Sequence, residues 1–279
     1  LHLVYSKMVD TGDMSAATEP SAYTCVGLRV SYPQVGDTPD AIFISQGWHP
    51  AGDAGTWELI SSESTLESVD AHIQRWLTPL TPLIQQMKAT YAGISLTVVS
   101  HLWNATGFHL PAQAIQQIAL LDAGFNLYSH SYGEIETAPS NCSTASLPIV
   151  DTSEPSDTIV SLRIFAPELN PTEVTQQLGI TPDHQHLKGD YPNNNPRYAA
   201  YKHGMWIIDS HVSREAPLEM HLQTVCNRLL PVRSQLETLR QTAIVDFYCT
   251  IFASDTVALS AAVLQDMATL GVEFGASMY

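Results

Sequence analysis

IVSLRIFAPELNPTEVTQQLG, residues Ile159 to Gly179, contains a complete strand-to-helix unit, and the rest of the chain is read outward from it. Its first eight residues, IVSLRIFA, alternate and are rich in β-branched types, which predicts a strand. Asn170 then offers an N-cap, Pro171 stands at the first helical position, and Glu173 sits where a capping box places its acid. Gly179 supplies the stop signal. Downstream, HQHLKG (184–189) and GMWIIDS (204–210) read as two strands flanking a long loop. A helix is expected from about Glu215 to Leu239, with Leu218, Leu222, Val225, Leu229 and Leu236 near one face. Pro231 must kink or split it, because proline cannot donate to the preceding turn. AIVDFYCTIF (243–252), LSAAVLQDMATLG (259–271) and VEFGASMY (272–279) read as strand, helix and strand. The order β-α-β-β-α-β-α-β predicts an α+β fold: a mainly antiparallel sheet with helices on one face, of ferredoxin-like flavour.

The same order recurs earlier in the chain. Trp57 and Trp206 stand 149 positions apart, and holding that offset aligns Ser61 with Ser210, His72 with His221 and Pro82 with Pro231. It also aligns Leu110 with Leu259 and Gln116 with Gln265. ISLTVVSHLW (94–103) lies over AIVDFYCTIF, and GLRV (27–30) resembles SLRI (161–164). We therefore expect an arm at 1–22, a first repeat at 23–132, a linker at 133–157 rich in Ser, Thr, Pro and acids, and a second repeat at 158–279. Two such tandem sandwiches could pack together or join their sheets edge to edge. The repeats differ most before the matched tryptophans. The first has AGDAGT (51–56), whereas the second has DHQHLKGDYPNNNPRYAAYKHGMW, Asp183 to Trp206. Specialised function is expected on the elaborated loop, because binding residues concentrate on loops carried by a shared scaffold.

The chain of 279 residues is 44% hydrophobic, enough for proper cores, and carries 12 Lys and Arg against 28 Asp and Glu, a net charge of −16. That balance argues against nucleic acid as a ligand, since phosphate binding needs a basic face. It favours solubility and fast encounter with basic partners. No apolar run approaches the length needed to span a bilayer, and the N-terminal residues lack the layout of a signal peptide, so a cytoplasmic protein is expected. Cys25, Cys142, Cys226 and Cys249 form no CxxC and are expected as reduced, buried or half-buried thiols.

The run SLRIF, LNPTEVTQQLGITP, His184 and His186, Lys188-Gly189-Asp190 and Trp206, followed by a long helix, strand, helix and a strand ending in Tyr279, resembles the DUF4279 family. The resemblance covers the second repeat well and the first loosely, through Leu28, Arg29, Gly47, Pro50 and Trp57; the first lacks the Lys-Gly-Asp segment. It implies a bacterial origin and a partner-binding role, since members resemble the immunity proteins that sit beside polymorphic toxins. It brings no catalytic residues with it.

The loop carries the residues best suited to chemistry. His184 and His186, two apart on a strand, would share a face, and Asp190, His203 or His211 could complete a metal site. No CxxC, HExxH, DxDxDG, GxSxG, P-loop or GxGxxG frame accompanies them. His186 with Asp190, or His203 with Asp209, could form an acid–base pair, though a chain with 11 His and 28 acids permits many such pairings. Trp57 and Trp206 read as core anchors. His72 and His221 read as residues of a packed helix seam, and Arg29 and Arg163 as strand arginines that reach a carboxylate near the sheet edge or snorkel. The remaining loop residues suit a protein interface, or alternatively a merely structural crossover. As an interface, Asp190, Tyr191, Asn193, Asn194, Asn195, Arg197, Tyr198 and Tyr201 would bind the partner, the tyrosines giving rigid contact area and Arg197 bidentate contacts. The function expected is that of a cofactor-free immunity protein that sterically neutralises a basic toxin of nuclease or ADP-ribosyltransferase type. The alternative is a metal- or histidine-dependent enzyme of small molecules using the 183–206 loop.

Overall fold

The computed structural model describes residues 23–31, 49–50, 56–60, 69–90, 94–103, 107–130, 157–252 and 256–278. The expected arm at 1–22, nearly all of the linker at 133–157, residues 51–55, and the side chains of Cys25, Trp57, His72 and Cys142 lie outside the described set.

The fold is α+β, built on two six-stranded sheets. The first half contributes β1 (Tyr23–Ser31), β2 (His49–Pro50), β3 (Thr56–Ile60), α1 (Val69–Thr90), β4 (Ser95–Trp103), β5 (Gly107–Leu110), α2 (Ala112–Leu120) and β6 (Ala123–His130). The second contributes β7 (Asp157–Ala166), α3 (Pro171–Leu178), β8 (His184–His186), β9 (Gly204–Asp209), α4 (Leu218–Leu229), α5 (Arg233–Leu239), β10 (Ile244–Phe252), β11 (Thr256–Leu259), α6 (Ala261–Leu270) and β12 (Glu273–Met278).

One sheet has the order β11-β6-β4-β1-β3-β2 and the other β5-β12-β10-β7-β9-β8. Substituting each first-half strand by its second-half counterpart turns one order into the other. Each sheet therefore takes one edge strand from the opposite half. β5 pairs antiparallel with β12, placing Phe108 opposite Ala276, and β11 pairs antiparallel with β6, placing Val257 opposite Leu127. The inner pairs β4–β6 and β10–β12 are parallel, and the other pairings are antiparallel. The exchange explains Gly107: a Cβ there would stand 2.5 Å from the carbonyl oxygen of Ala276, so a larger residue would push β5 off its borrowed partner.

The helices pack on one side of each sheet, with α2 against α6 across the junction of the halves. Gln265 donates to the Ala119 carbonyl at 2.9 Å across that seam. One hydrophobic cluster unites both halves, including Leu28, Ile73, Ile115 and Phe125 from the first and Leu162, Trp206, Phe247 and Phe274 from the second. Phe108 of β5 bridges them, its ring 6.1 Å from Phe125 and 5.5 Å from Phe274.

The decisive unit forms as its sequence dictates. Asn170 Oδ1 accepts from the Thr172 N–H at 3.1 Å and Asn170 Nδ2 donates to Glu173, closing the N-terminus of α3. Gly179 takes φ 66°, the left-handed cap conformation, and donates its N–H to Thr175. Trp206 is fully buried and its Nε1 donates to Thr175 Oγ1 at 3.1 Å, locking β9 to this helix.

The 215–239 helix splits at Pro231 as expected, into α4, a 3-10 turn over Leu230–Val232, and α5, but it begins only at Leu218, after Pro217. The matching Pro82 does not split its helix: α1 runs unbroken through Pro79 and Pro82, with Thr78 and Thr81 hydroxyls bonding back to carbonyls four residues earlier. The strand β11 was absent from the expected order, as was its counterpart β5. Each is four residues long and finds its pairing only in the opposite half.

Candidate partner-binding loop

Four carboxylate contacts fix the base of the 183–206 loop. Asp183 Oδ2 accepts the Asp209 N–H at 2.8 Å, holding the start of β8 to the end of β9. Its Oδ1 lies 2.9 Å from His211 Nε2. Asp209 accepts from Ser161 Oγ at 2.6 Å and faces His184 Nε2 at 3.3 Å. His211 holds φ 56°, a left-handed conformation uncommon for a residue with a Cβ, which lets its ring turn back to Asp183. Behind this clasp, Ser210 Oγ and His221 Nδ1 form a buried 2.6 Å hydrogen bond. Burial lowers the His221 pKa, opposed by the carbonyls of Ser213 and Ala216.

Above the base, the loop is a closed projection. Gly189 donates to the Tyr201 carbonyl at 2.9 Å and Tyr201 donates to the Asp190 carbonyl at 2.8 Å, forming a neck. His186 and Tyr201 stack at 3.6 Å with their planes 14° apart, bracing one side of it. Burial lowers the His186 pKa to about 4, with His203 acting in the same direction and Asp190 against both. Burial, then Asp190, raises that of Tyr201. Beyond the neck, Asn194 donates to Tyr191, Asn195 to Pro192 and Tyr198 to Asn195 through the backbone. The Arg197 N–H bonds the Asn195 side chain at 3.1 Å. Asn193 and Asn194 take φ 53° and 55°, two consecutive left-handed residues of the type that tolerates this best.

This geometry divides the eight expected contact residues. Tyr191, Asn193, Asn194, Arg197 and Tyr198 are exposed at the tip, the two tyrosines at 41% and 48%. Leu187 beside them is 49% exposed, and these three are half of the large exposed hydrophobic side chains among the described residues. Asp190, Asn195 and Tyr201 serve the loop internally. Asp190 Oδ2 accepts the Leu187 N–H at 2.8 Å, Asn195 makes the turn, and Tyr201 braces the neck.

The histidines fall in two places, His184 and His211 at the base and His186 and His203 nearer Asp190. His184 pairs with Asp209, His186 is stacked on Tyr201, His211 pairs with Asp183, and His203 meets Phe165 edge-on at 6.5 Å. The pairing of His203 with Asp209 considered from sequence is thus replaced by His184 with Asp209. Among the described residues, no three His, Cys, Asp or Glu side chains are grouped to hold a metal ion. Cys226 and Cys249 are free and buried, and burial pushes the Cys226 thiol up to about 12 and Cys249 upward too, which makes both poor nucleophiles. Among the described residues, no helix is long and apolar enough to cross a membrane.

The Asp–His clasp was not found from sequence; only the spacing of Asp183 and Asp209 at the two ends of the loop hints at it. The Ser210–His221 bond did leave a trace, since both residues recur at the 149-residue offset as Ser61 and His72. Arg163 does reach a carboxylate, but between two interior strands and not near the sheet edge. It grips Asp246 at 2.9 and 2.5 Å and lies over the Tyr248 ring at 4.1 Å.

No curated protein and no solved structure matches the chain. Residues 156–279, the half that carries the clasp and the projecting loop, match the family model described as Domain of unknown function (DUF4279).

Proposed function

We propose that this chain is a binding protein of the bacterial immunity type, made of two related DUF4279-like units, that neutralises a cognate toxin by steric occlusion. The observation that carries this reading is the tip of the 190–201 projection. It presents Tyr191, Tyr198 and Arg197 outward on a backbone closed by its own hydrogen bonds. Such a surface limits the entropic cost of binding, because its tyrosines have few rotatable bonds and its backbone is already ordered. The net charge of −16 supports steered encounter with a basic toxin acting on a polyanion. Inhibition would need no chemistry from this chain.

The test is to immobilise the protein, pass over it lysate of the bacterium it comes from, and identify what is retained at 1:1. The retained polypeptide is then assayed for toxicity with and without the intact protein. Retention and protection, both weakened when Tyr191, Arg197 and Tyr198 are replaced by Ala, would support the reading. A retained polypeptide whose toxicity is unaffected by the protein would refute it.

A further inference from the structure

The exchanged edge strands occupy equivalent positions but do not carry equivalent residues. At the 149-residue offset, Gly107, Phe108, His109 and Leu110 of β5 correspond to Thr256, Val257, Ala258 and Leu259 of β11, and Leu127 of β6 corresponds to Ala276 of β12. The buried pairs across the two seams therefore differ in size. Phe108 faces Ala276, large against small, whereas Val257 faces Leu127, two side chains of middling size. The next pair is of one kind in both seams, with Leu110 facing Phe274 and Leu259 facing Phe125. His109 Nε2 also lies 3.1 Å from Glu273 Oε2, and the position equivalent to Glu273 is Gly124.

We infer that these differences make the seams heterospecific: each half accepts the edge strand of the other half and rejects its own, whether offered by the same chain or by a second copy. In the β12 slot, β11 would bring Thr256 to the place of Gly107, where a Cβ stands 2.5 Å from the Ala276 carbonyl oxygen. That oxygen belongs to the backbone of a central pairing and does not swing aside as a side chain does. Val257 would also leave unfilled the space that Phe108 occupies beside Phe125 and Phe274. In the β6 slot, β5 would set Phe108 against Leu127, where the smaller Val257 now fits, and His109 would lose Glu273. One wrong pairing is thus penalised by backbone crowding and a void, the other by overpacking. The partner that either slot fits is the opposite half. A second copy of the chain joins only by trading whole halves, which keeps every seam heterotypic.

The test uses the full chain. Gly107→Thr, Phe108→Val and His109→Ala together give β5 the sequence of β11. Local preference by itself favours the change, because Thr and Val form strands better than Gly. The inference predicts the opposite sign: the amides of β5 and β12 should exchange with solvent at least roughly tenfold faster. Unchanged or slower exchange would overturn it. A double-mutant cycle at the buried pair decides the matter even where the triple variant fails to fold. Ala276→Leu should lower the urea midpoint in the parent chain. Added to Phe108→Val it should raise the midpoint, since the pair then copies Val257 and Leu127. The same loss from Ala276→Leu with and without Phe108→Val would show that the seam does not read side-chain size, and the inference would fall.

Discussion

The two halves place equivalent strands in equivalent sheet positions but spend their differences in two places. Between the matched proline and tryptophan, the first half has six residues, AGDAGT, where the second has the clasped, projecting loop. On the central strands, register sets Arg29 opposite Glu58 on β3 and Thr97 on β4, and sets Arg163 opposite Ile207 on β9 and Asp246 on β10. The arginine recurs in register on the two central strands, and in the second half its carboxylate comes from β10. A guanidinium inside a sheet needs an acid within reach, but either flanking strand can carry it. The lesson is that a shared strand order can carry a different connection between equivalent strands.

The comparison is broken most severely by removing the second half's acid. Asp246→Ala leaves Arg163, 15% exposed, without its partner, and should cost about 3 kcal/mol in urea unfolding. Restoring an acid on the other flanking strand, with Ile207→Glu added, should recover part of that loss if the carboxylate is interchangeable between strands. The next largest effect falls on the exchange between the halves. Gly107→Val sets a side chain against the Ala276 carbonyl and should cost about 2 kcal/mol, with increased amide exchange in both β5 and β12. Exchange faster only in β5 would show that β12 holds its sheet without the borrowed strand.

A pH effect comes third and is confined to the second half. The folded pKa of His186, about 4, lies below its ordinary 6.5, so the unfolded chain takes up a proton first as pH falls. Its contribution is complete above pH 6.5 and is lost as pH drops towards 4. His186→Phe keeps a ring against Tyr201 and should flatten that part of the stability profile. An unchanged profile would place the pH dependence elsewhere. The smallest effect on stability is expected at the tip. Replacing Tyr191, Arg197 and Tyr198 by Ala should change unfolding by less than ~0.5 kcal/mol per site while removing the proposed binding, because these side chains are exposed.

Much of this architecture is local and was legible as such. The α3 caps at Asn170 and Gly179, the alternation of β7 and the burial of Trp206 follow from side-chain type and spacing. The split at Pro231 followed from its missing N–H, yet Pro82 at the matching place leaves α1 whole, so a proline's consequence depends on what packs around it. The candidate loop was legible as an insertion rich in Tyr, Asn and Arg, but not the division of its residues into tip and brace. Tyr201 and Tyr198 are the same residue type three positions apart, one stacked on a histidine and the other facing outward.

The sequence by itself determined the α+β class and, in the second half, the order of elements apart from one short strand. These rest on periodicity, capping and composition, which act within a few residues. Only the tertiary structure decided that each sheet borrows an edge strand from the other half. It alone joined Asp183 to His211 and His184 to Asp209. Gly107–Leu110 and Thr256–Leu259 are too short to hold a strand conformation on local preference, and they acquire it from backbone partners far away in the chain.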